Sequence, residues 1–306
     1  MSNAFVTLLM GASHYVYGAI AMAHSLRKTK TKYDIVCMIT PDFQKYIHLL
    51  EIIFNKVVVV SYLNYKTGFL TTKKQNDIYG AWKNVSYTKW QCLSLTKYNK
   101  VCLLDADLII QQNIDHLFEL QAPAGRWGNN WDCIVNYYDD CKHGDIIPNI
   151  SINKGLKMGY LVNGHCVILE PSIIMYQRFI NFMYSGHYRK LHNCLAMVDE
   201  NALVKFMLYE KKQWTQIGPE YNCIPWKVAS KVELNSKELN SKELNSDETK
   251  SQLEMIINNV FILHYFNKQK AWQMQRGEWP DIKIWYNVWD SACETYPVIT
   301  KKLNNL

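Results

Sequence analysis

Asp105 and Asp107 close the apolar run Val101 to Leu104 and stand two residues apart. In an extended strand, residues i and i+2 project to the same side. A strand buried on both faces tolerates two carboxylates only where it emerges, and the carboxyl end of a strand in an open α/β sheet is where ligands bind. Like charges on one face repel each other, and a bound cation relieves the repulsion. The same pair would also suit a plain structural role, capping the turn or helix that follows. His264 has a comparable place after the apolar run Val260 to Leu263. A histidine there is either a hydrogen-bonded structural residue or a further ligand.

The elements that must position these residues follow from hydropathy. Phe5 to Met10 is a short apolar run closed by Gly11, which predicts a buried strand and its exit turn. From Tyr15 to Arg27, the residues Val16, Ala19, Ile20, Ala23 and Leu26 recur at helical spacing. Arg27 and Lys28 then suit the carboxyl end of the helix dipole. Ile35 to Ile39 predicts a second strand, Phe43 to Phe54 a helix, and Val57 to Val60 a third strand. Strand, helix, strand, helix, strand implies a parallel sheet with crossover helices. An amphipathic helix is expected over residues 86–98, leading into the strand that carries Asp105. Further on, Leu161 to Leu169 and Val260 to Leu263 read as strands, and Ile173 to Tyr184 and Glu200 to Tyr209 as helices. Gly125 to Gly159 is polar and turn-rich and carries no assignable element.

The chain has 306 residues, 48% hydrophobic and 20% charged, which excludes a disordered, collagenous or disulfide-scaffold protein. Its net charge of +7 points to an anionic partner. The surplus sits early, with thirteen Lys and Arg against four acids in residues 1–100. Only Arg27 to Lys32 is dense, and no stretch interleaves basic and aromatic residues, so nucleic acid is the disfavoured partner. No secretory pattern opens the sequence, and no apolar stretch reaches the roughly eighteen residues of a membrane helix. Nine cysteines without a Cys-x-x-Cys pair read as reduced, core-filling thiols of a cytoplasmic protein. Lys231 to Lys250 is a tandem repeat of KELNS type whose five-residue period matches neither helix nor strand. It is expected to be a solvated insertion, a loop or weak surface helix, because long surface insertions cost little closure entropy.

Four blocks in order carry a resemblance: AFVTLLMGASHYVYGAIAMAHSL, YTKWQCLSLTKYNKVCLLDADLIIQQNIDHLFEL, YLVNGHCVILEPS and HYFNKQKAW. Together they resemble the retaining glycosyltransferases of family 8, the family of glycogenin and galactinol synthase, with glycogenin-like proteins of large DNA viruses among its members. The resemblance implies a GT-A fold, an α/β architecture with a Rossmann-like, mostly parallel sheet flanked by helices. It implies one domain over residues 1–306, with the nucleotide-binding half in 1–110 and the repeat of 231–250 as an insertion. The activity it implies is retaining, metal-dependent transfer of a hexose from a UDP-sugar, UDP-glucose or UDP-galactose, to an acceptor hydroxyl that the sequence does not identify. The sequence does not fix the oligomeric state, and a homodimer is kept as one expectation.

Carried over position by position, the resemblance makes Asp105, Asp107 and His264 ligands of Mn2+, with Mg2+ as the alternative. Carboxylates with a nitrogen donor suit manganese better than magnesium. Tyr15 would lie against the uracil ring, with Leu9, Ala106 and Asn267 also at the nucleotide. Lys89 would approach the sugar or diphosphate, Lys270 the phosphates, Asn163 the sugar, and Asp199 the anomeric carbon. Three places depart from the family pattern. Its His-x-x-Gly-x-x-Lys-Pro-Trp reads His264, Asn267, Lys270, Ala271 and Trp272; its Asn-Ser/Ala-Gly reads Asn163-Gly164-His165; and its Asp-Gln reads Asp199-Glu200. These departures motivate a second expectation, a catalytically weak nucleotide-sugar binder with a regulatory or interaction role. Glycogenin's self-glucosylated tyrosine has no counterpart, since the repeat after Tyr221-Asn222 contains no tyrosine.

Overall fold

The first apolar run is a strand, β1 (Ser2–Leu9), in a computed structural model that describes residues 2–67, 73, 76–77, 80–127, 141–158, 162–185, 198–211, 213–238, 246–277 and 279–303. Gly11 follows with φ +74°, a left-handed turn that glycine adopts without strain. Helix α1 (Tyr15–Lys28) ends on Arg27 and Lys28. Strand β2 (Asp34–Ile39) stops before Pro41, at which a 3-10 helix (Pro41–Tyr46) begins and passes into the single turn α2 (Ile47–Leu50). The expected helix over Phe43 to Phe54 is therefore broken into two short pieces. Strand β3 (Lys56–Val59) completes the first unit.

The segment expected as an amphipathic helix over 86–98 is a 3-10 helix, Ser86–Ser94. Six of its nine residues are buried, so it is enclosed on several sides and has no single wet face. It leads to β4 (Tyr98–Leu104), and the chain then forms β5 (Leu108–Ile110). The unassigned stretch contains β6 (Ala124–Trp127) and α3 (Asn149–Met158); its residues 128–140 and 159 lie outside the described residues. Strand β7 (Val162–Leu169), α4 (Ile173–Tyr184) and α5 (Val198–Lys211) follow close to their expected bounds, and then β8 (Thr215–Gln216).

One sheet runs in the order β3-β2-β1-β4-β7-β6-β8. The pairs from β3 to β4 are parallel, β4 to β7 and β7 to β6 are antiparallel, and β6 to β8 is parallel. Alternate residues of β1 and β4 enter two different cores. Phe5, Leu9, Cys102 and Leu104 join the core under α1, whereas Ala4, Val6, Val101 and Leu103 join Tyr87, Trp90, Phe179 and Phe206. Burial on both faces explains why these strands read as continuous apolar runs.

The second sheet is the antiparallel pair of β5 with β9 (Ile262–His264). Behind it a third core gathers Val228 and Val232 of α6 (Pro225–Glu238), Leu253 and Ile257 of α7 (Ser246–Ile257), and Ile282 and Trp285 of α8 (Pro280–Thr295). A last helix, α9 (Pro297–Leu303), ends the described chain. The repeat is divided between α6 and α7, with Val232 and Thr249 buried, while residues 239–245 lie outside the described residues. Among the described residues, seven cysteines are free and six of them buried, and no helix is long and apolar enough to cross a membrane.

Candidate active site

Asp105 leaves β4 at the point where the sheet changes from parallel to antiparallel. Because β7 runs against β4, its first residues lie beside the last residues of β4, and the Asp105 amide donates to the His165 carbonyl over 3.0 Å. That reversal brings Asn163, Gly164 and His165 to the aspartates. Two residues further on, β5 pairs with β9 so that Leu108 faces His264, which places His264 next to Asp107.

Asp105, Asp107 and His264 each offer a ligand atom, and these atoms lie within 4.8 Å of one another. His264 Nδ1 is 2.8 Å from Asn222 Oδ1, a geometry in which Nδ1 donates to the amide oxygen. The other nitrogen, Nε2, is buried and has no hydrogen-bond partner among the described residues, and in the neutral ring it carries the lone pair. It stands 3.4 Å from Asp107 Oδ1. In that neutral tautomer two electron-pair donors face each other, a contact that a cation would satisfy. The residues present fit a divalent ion with mixed oxygen and nitrogen ligation.

Two lysines flank this group. Lys270 Nζ donates to Asp107 Oδ2 at 2.6 Å and to the Tyr265 carbonyl at 3.2 Å. Burial alone would raise the Asp107 pKa, but the ammonium of Lys270 outweighs it and holds the carboxyl well below its usual range. Lys89 Nζ lies 3.2 Å from Asp105 Oδ1, 3.9 Å from Asp199 Oδ2 and 4.0 Å from Glu200 Oε1, and it donates to the Gly164 carbonyl at 3.2 Å. Burial opposes the Lys89 charge, yet these three carboxylates raise its pKa above the ordinary lysine value. Asp105, a third of whose side chain is exposed, is pushed up by burial against the pull of Lys89. Glu200 is pushed well above its ordinary value by burial and then by Asp199.

The supports of these side chains are local. Trp90, fully buried beside Lys89, donates its indole N–H to the Asp199 carbonyl at 3.0 Å, which ties the 3-10 helix to the first turn of α5. Gly164 has no side chain because Glu200 covers it: a methyl group there would stand 2.6 Å from Glu200 Oε1. At Gly18 a methyl would lie 2.5 Å from the Ala106 carbonyl oxygen and 2.6 Å from the Trp272 ring, so α1 approaches the aspartate turn through glycine. Tyr15 starts α1, packs edge-on to Trp272 at 5.5 Å, and has Lys270 Nζ 5.7 Å from its ring centre.

Lys89, Asp105, Asp107, Asp199, His264 and Lys270 thus form one connected group. Ala106 lies between the aspartates, Leu9 is fully buried at the end of β1, and Asn163 is buried in β7 with its Nδ2 unpartnered. Asn267 is exposed in the loop between His264 and Lys270, and its side chain accepts from the Lys268 amide at 2.7 Å. Sequence reasoning gave no role to Asn222, or to His165 beyond its departure from the family pattern. No hydropathy period marks Asn222, and only the departure at His165 signalled that residue.

The fold is that of GT-A glycosyltransferases. The crystal structure of the glycosyltransferase GlyE of Streptococcus pneumoniae TIGR4 superposes with a TM-score of 0.52 at 14% identity, covering 98% of this chain and 64% of that one. Residues 6–276 match the description of Glycosyl transferase family 8, and the chain belongs to that family. Its relatives include Uncharacterized protein R707 of Acanthamoeba polyphaga mimivirus, 27% identical over 288 residues, 89% of this chain and 83% of that protein. Galactinol synthase 2 of Arabidopsis thaliana is 25% identical over 248 residues, 76% of this chain and 69% of that protein. Glycogenin-1 of Oryctolagus cuniculus is 33% identical over 134 residues, 43% of this chain and 38% of that protein. The protein is a glycosyltransferase, with a nucleotide-sugar donor and an acceptor implied by the family.

Proposed function

We propose that this protein transfers a hexose from a UDP-sugar to an acceptor hydroxyl with retention at the anomeric carbon, using a divalent cation, Mn2+ in preference to Mg2+, at Asp105, Asp107 and His264. The observation that carries the reading is the convergence of Asp105, Asp107 and His264 on one point, with His264 Nε2 unpartnered and 3.4 Å from Asp107 Oδ1. A cation there supplies Lewis-acid neutralisation of the charge that builds on a departing diphosphate. Lys270 and Lys89 supply two further positive charges, one on each side of the aspartates. Tyr15 offers an aromatic face to the base, with Leu9, Ala106 and Asn267 along the nucleotide. Asn163, with a free buried amide donor, and Asp199 orient the sugar.

The favoured route to retention is a front-face reaction in which the leaving phosphate oxygen takes the acceptor's proton. Under this reading Asp199 positions the donor and does not attack it. It is supported by the ion pair of Asp199 with Lys89 at 3.9 Å, an ammonium shared with Asp105 and Glu200. A cytoplasmic setting belongs to the same reading and draws support from the free thiols. Release of UDP from a panel of UDP-sugars with Mn2+, compared with Asp107→Asn, tests the proposal. Metal-dependent release that the substitution abolishes is expected. Binding without turnover, even with acceptors present, would favour a nucleotide-sugar-binding regulator, the reading that the Glu200 carboxylate supports.

A further inference from the structure

The His264 ring is held on three sides. Nδ1 meets Asn222 Oδ1 at 2.8 Å, the His165 ring stacks on it with centroids 5.2 Å apart and planes inclined by 26°, and Phe266 approaches edge-on at 5.4 Å. All three polar residues are buried, with Asn222 at 0%, His165 at 2% and His264 at 3% exposure. His165 is itself anchored, because Nε2 donates to the Tyr221 carbonyl at 3.0 Å. That carbonyl belongs to the residue before Asn222, and the His264 amide donates to the carbonyl of the residue after Asn222, Cys223, at 2.7 Å. The segment Tyr221 to Cys223 therefore grips both rings and leaves His264 Nε2 as the open position.

We propose that Asn222 and His165 are positioning residues that form a clamp on His264, Asn222 selecting the Nδ1–H tautomer and His165 fixing the ring plane, so that Nε2 is presented to the cation beside Asp107. The proposal rests on the reading of Asp105, Asp107 and His264 as a metal site. Partners of this kind, behind a metal-ligating histidine, are worth about 10–100-fold in metal affinity when removed. They act by keeping the lone pair where a freely rotating ring would present it only part of the time.

Two measurements on the full chain test the clamp. Titration with Mn2+, followed by the paramagnetic signal of the free ion, should show Asn222→Ala binding about 10–100-fold more weakly than wild type, with Asn222→Asp, which keeps the acceptor, restoring most of the affinity. His165→Phe, which keeps a stacked ring but loses the bond to Tyr221, should fall between wild type and His165→Gly. Long-range 1H–15N correlation spectra of the metal-free protein should place the His264 proton on Nδ1 in wild type and on both nitrogens in Asn222→Ala. Unchanged Mn2+ affinity in Asn222→Ala, or an Nε2–H tautomer in wild type, overturns the clamp. A wild type that keeps the Nδ1–H tautomer but does not bind Mn2+ overturns the metal site and leaves the tautomer result as evidence for the clamp. Should Asn222→Ala not fold, as seen by circular dichroism, His165→Phe and Asn222→Asp carry the same comparison.

Discussion

The two sides of the site differ in how their charges are matched. On the β5/β9 side, one carboxylate, Asp107, meets one ammonium, Lys270, at 2.6 Å, and a histidine whose outer nitrogen is already bonded to Asn222. On the β4/α5 side, a single ammonium, Lys89, serves Asp105, Asp199 and Glu200 at 3.2 to 4.0 Å. The first side is closed and ionised in advance. The second carries surplus negative charge that only an incoming cation or protonation can relieve.

The largest effect should come from breaking the closed side. Asp107→Asn removes the proposed cation ligand and the partner of Lys270 together, and UDP release is expected to fall by about 10^2–10^3-fold, a loss typical of removing one electrostatic stabiliser. Lys89→Met attacks the other side by leaving three carboxylates around an apolar stem. Urea unfolding should register a loss of about 3 kcal/mol. The double variant Lys89→Met with Asp105→Asn should recover part of that loss, because one of the stranded charges goes with it.

Gly18→Ala probes the element shared by both sides. A methyl 2.5 Å from the Ala106 carbonyl must displace α1 or the aspartate turn, at a cost of about 1–3 kcal/mol in the same measurement. The smallest effect concerns Glu200. Its folded pKa is raised above the unfolded value, so the folded state binds more protons than the unfolded state between the two. Its penalty is absent below the unfolded pKa and grows as pH rises toward the folded one. Glu200→Gln should remove that penalty, so its stability falls less than that of wild type between pH 4 and pH 8 in thermal or urea unfolding. Equal pH dependence in both proteins would mean that the acid-rich wall is less desolvated than its packing implies.

Much of the sheet was legible because β1, β2, β4 and β7 are apolar runs bounded by turn residues, and a buried strand must read that way, while β3, at the sheet edge, shows as a run of valines though none of its residues is buried. Asp105 and Asp107 stood out for the same reason, as carboxylates that such a run can hold only at its end. Other elements gave no such signal. β5 has three residues and lies only Asp105-Ala106-Asp107 beyond β4, too short a run to declare itself a separate strand. The Ser86–Ser94 segment is buried around most of its circumference, so no amphipathic period distinguishes a 3-10 helix from an α-helix. The repeat was expected to be solvated along its length, yet Val232 and Thr249 at its two ends are buried on helices that continue beyond it. Neighbouring sequence, not the five-residue period, decided those ends.

By itself the sequence determined the types of group and the strand ends that bear them, because hydropathy and turn chemistry act over a few residues. It also carried enough ordered motif to define the family. Only the tertiary structure decided which of these groups meet. Lys270 reaches Asp107 across 163 residues of chain, and His264 finds Asn222 across 42. Those pairings depend on the reversal of β7 against β4 and on the register of β5 with β9, and strand order is set by the packing of the whole core. The protonation of the site follows from the same pairings, since burial and neighbouring charge act through space and not along the chain.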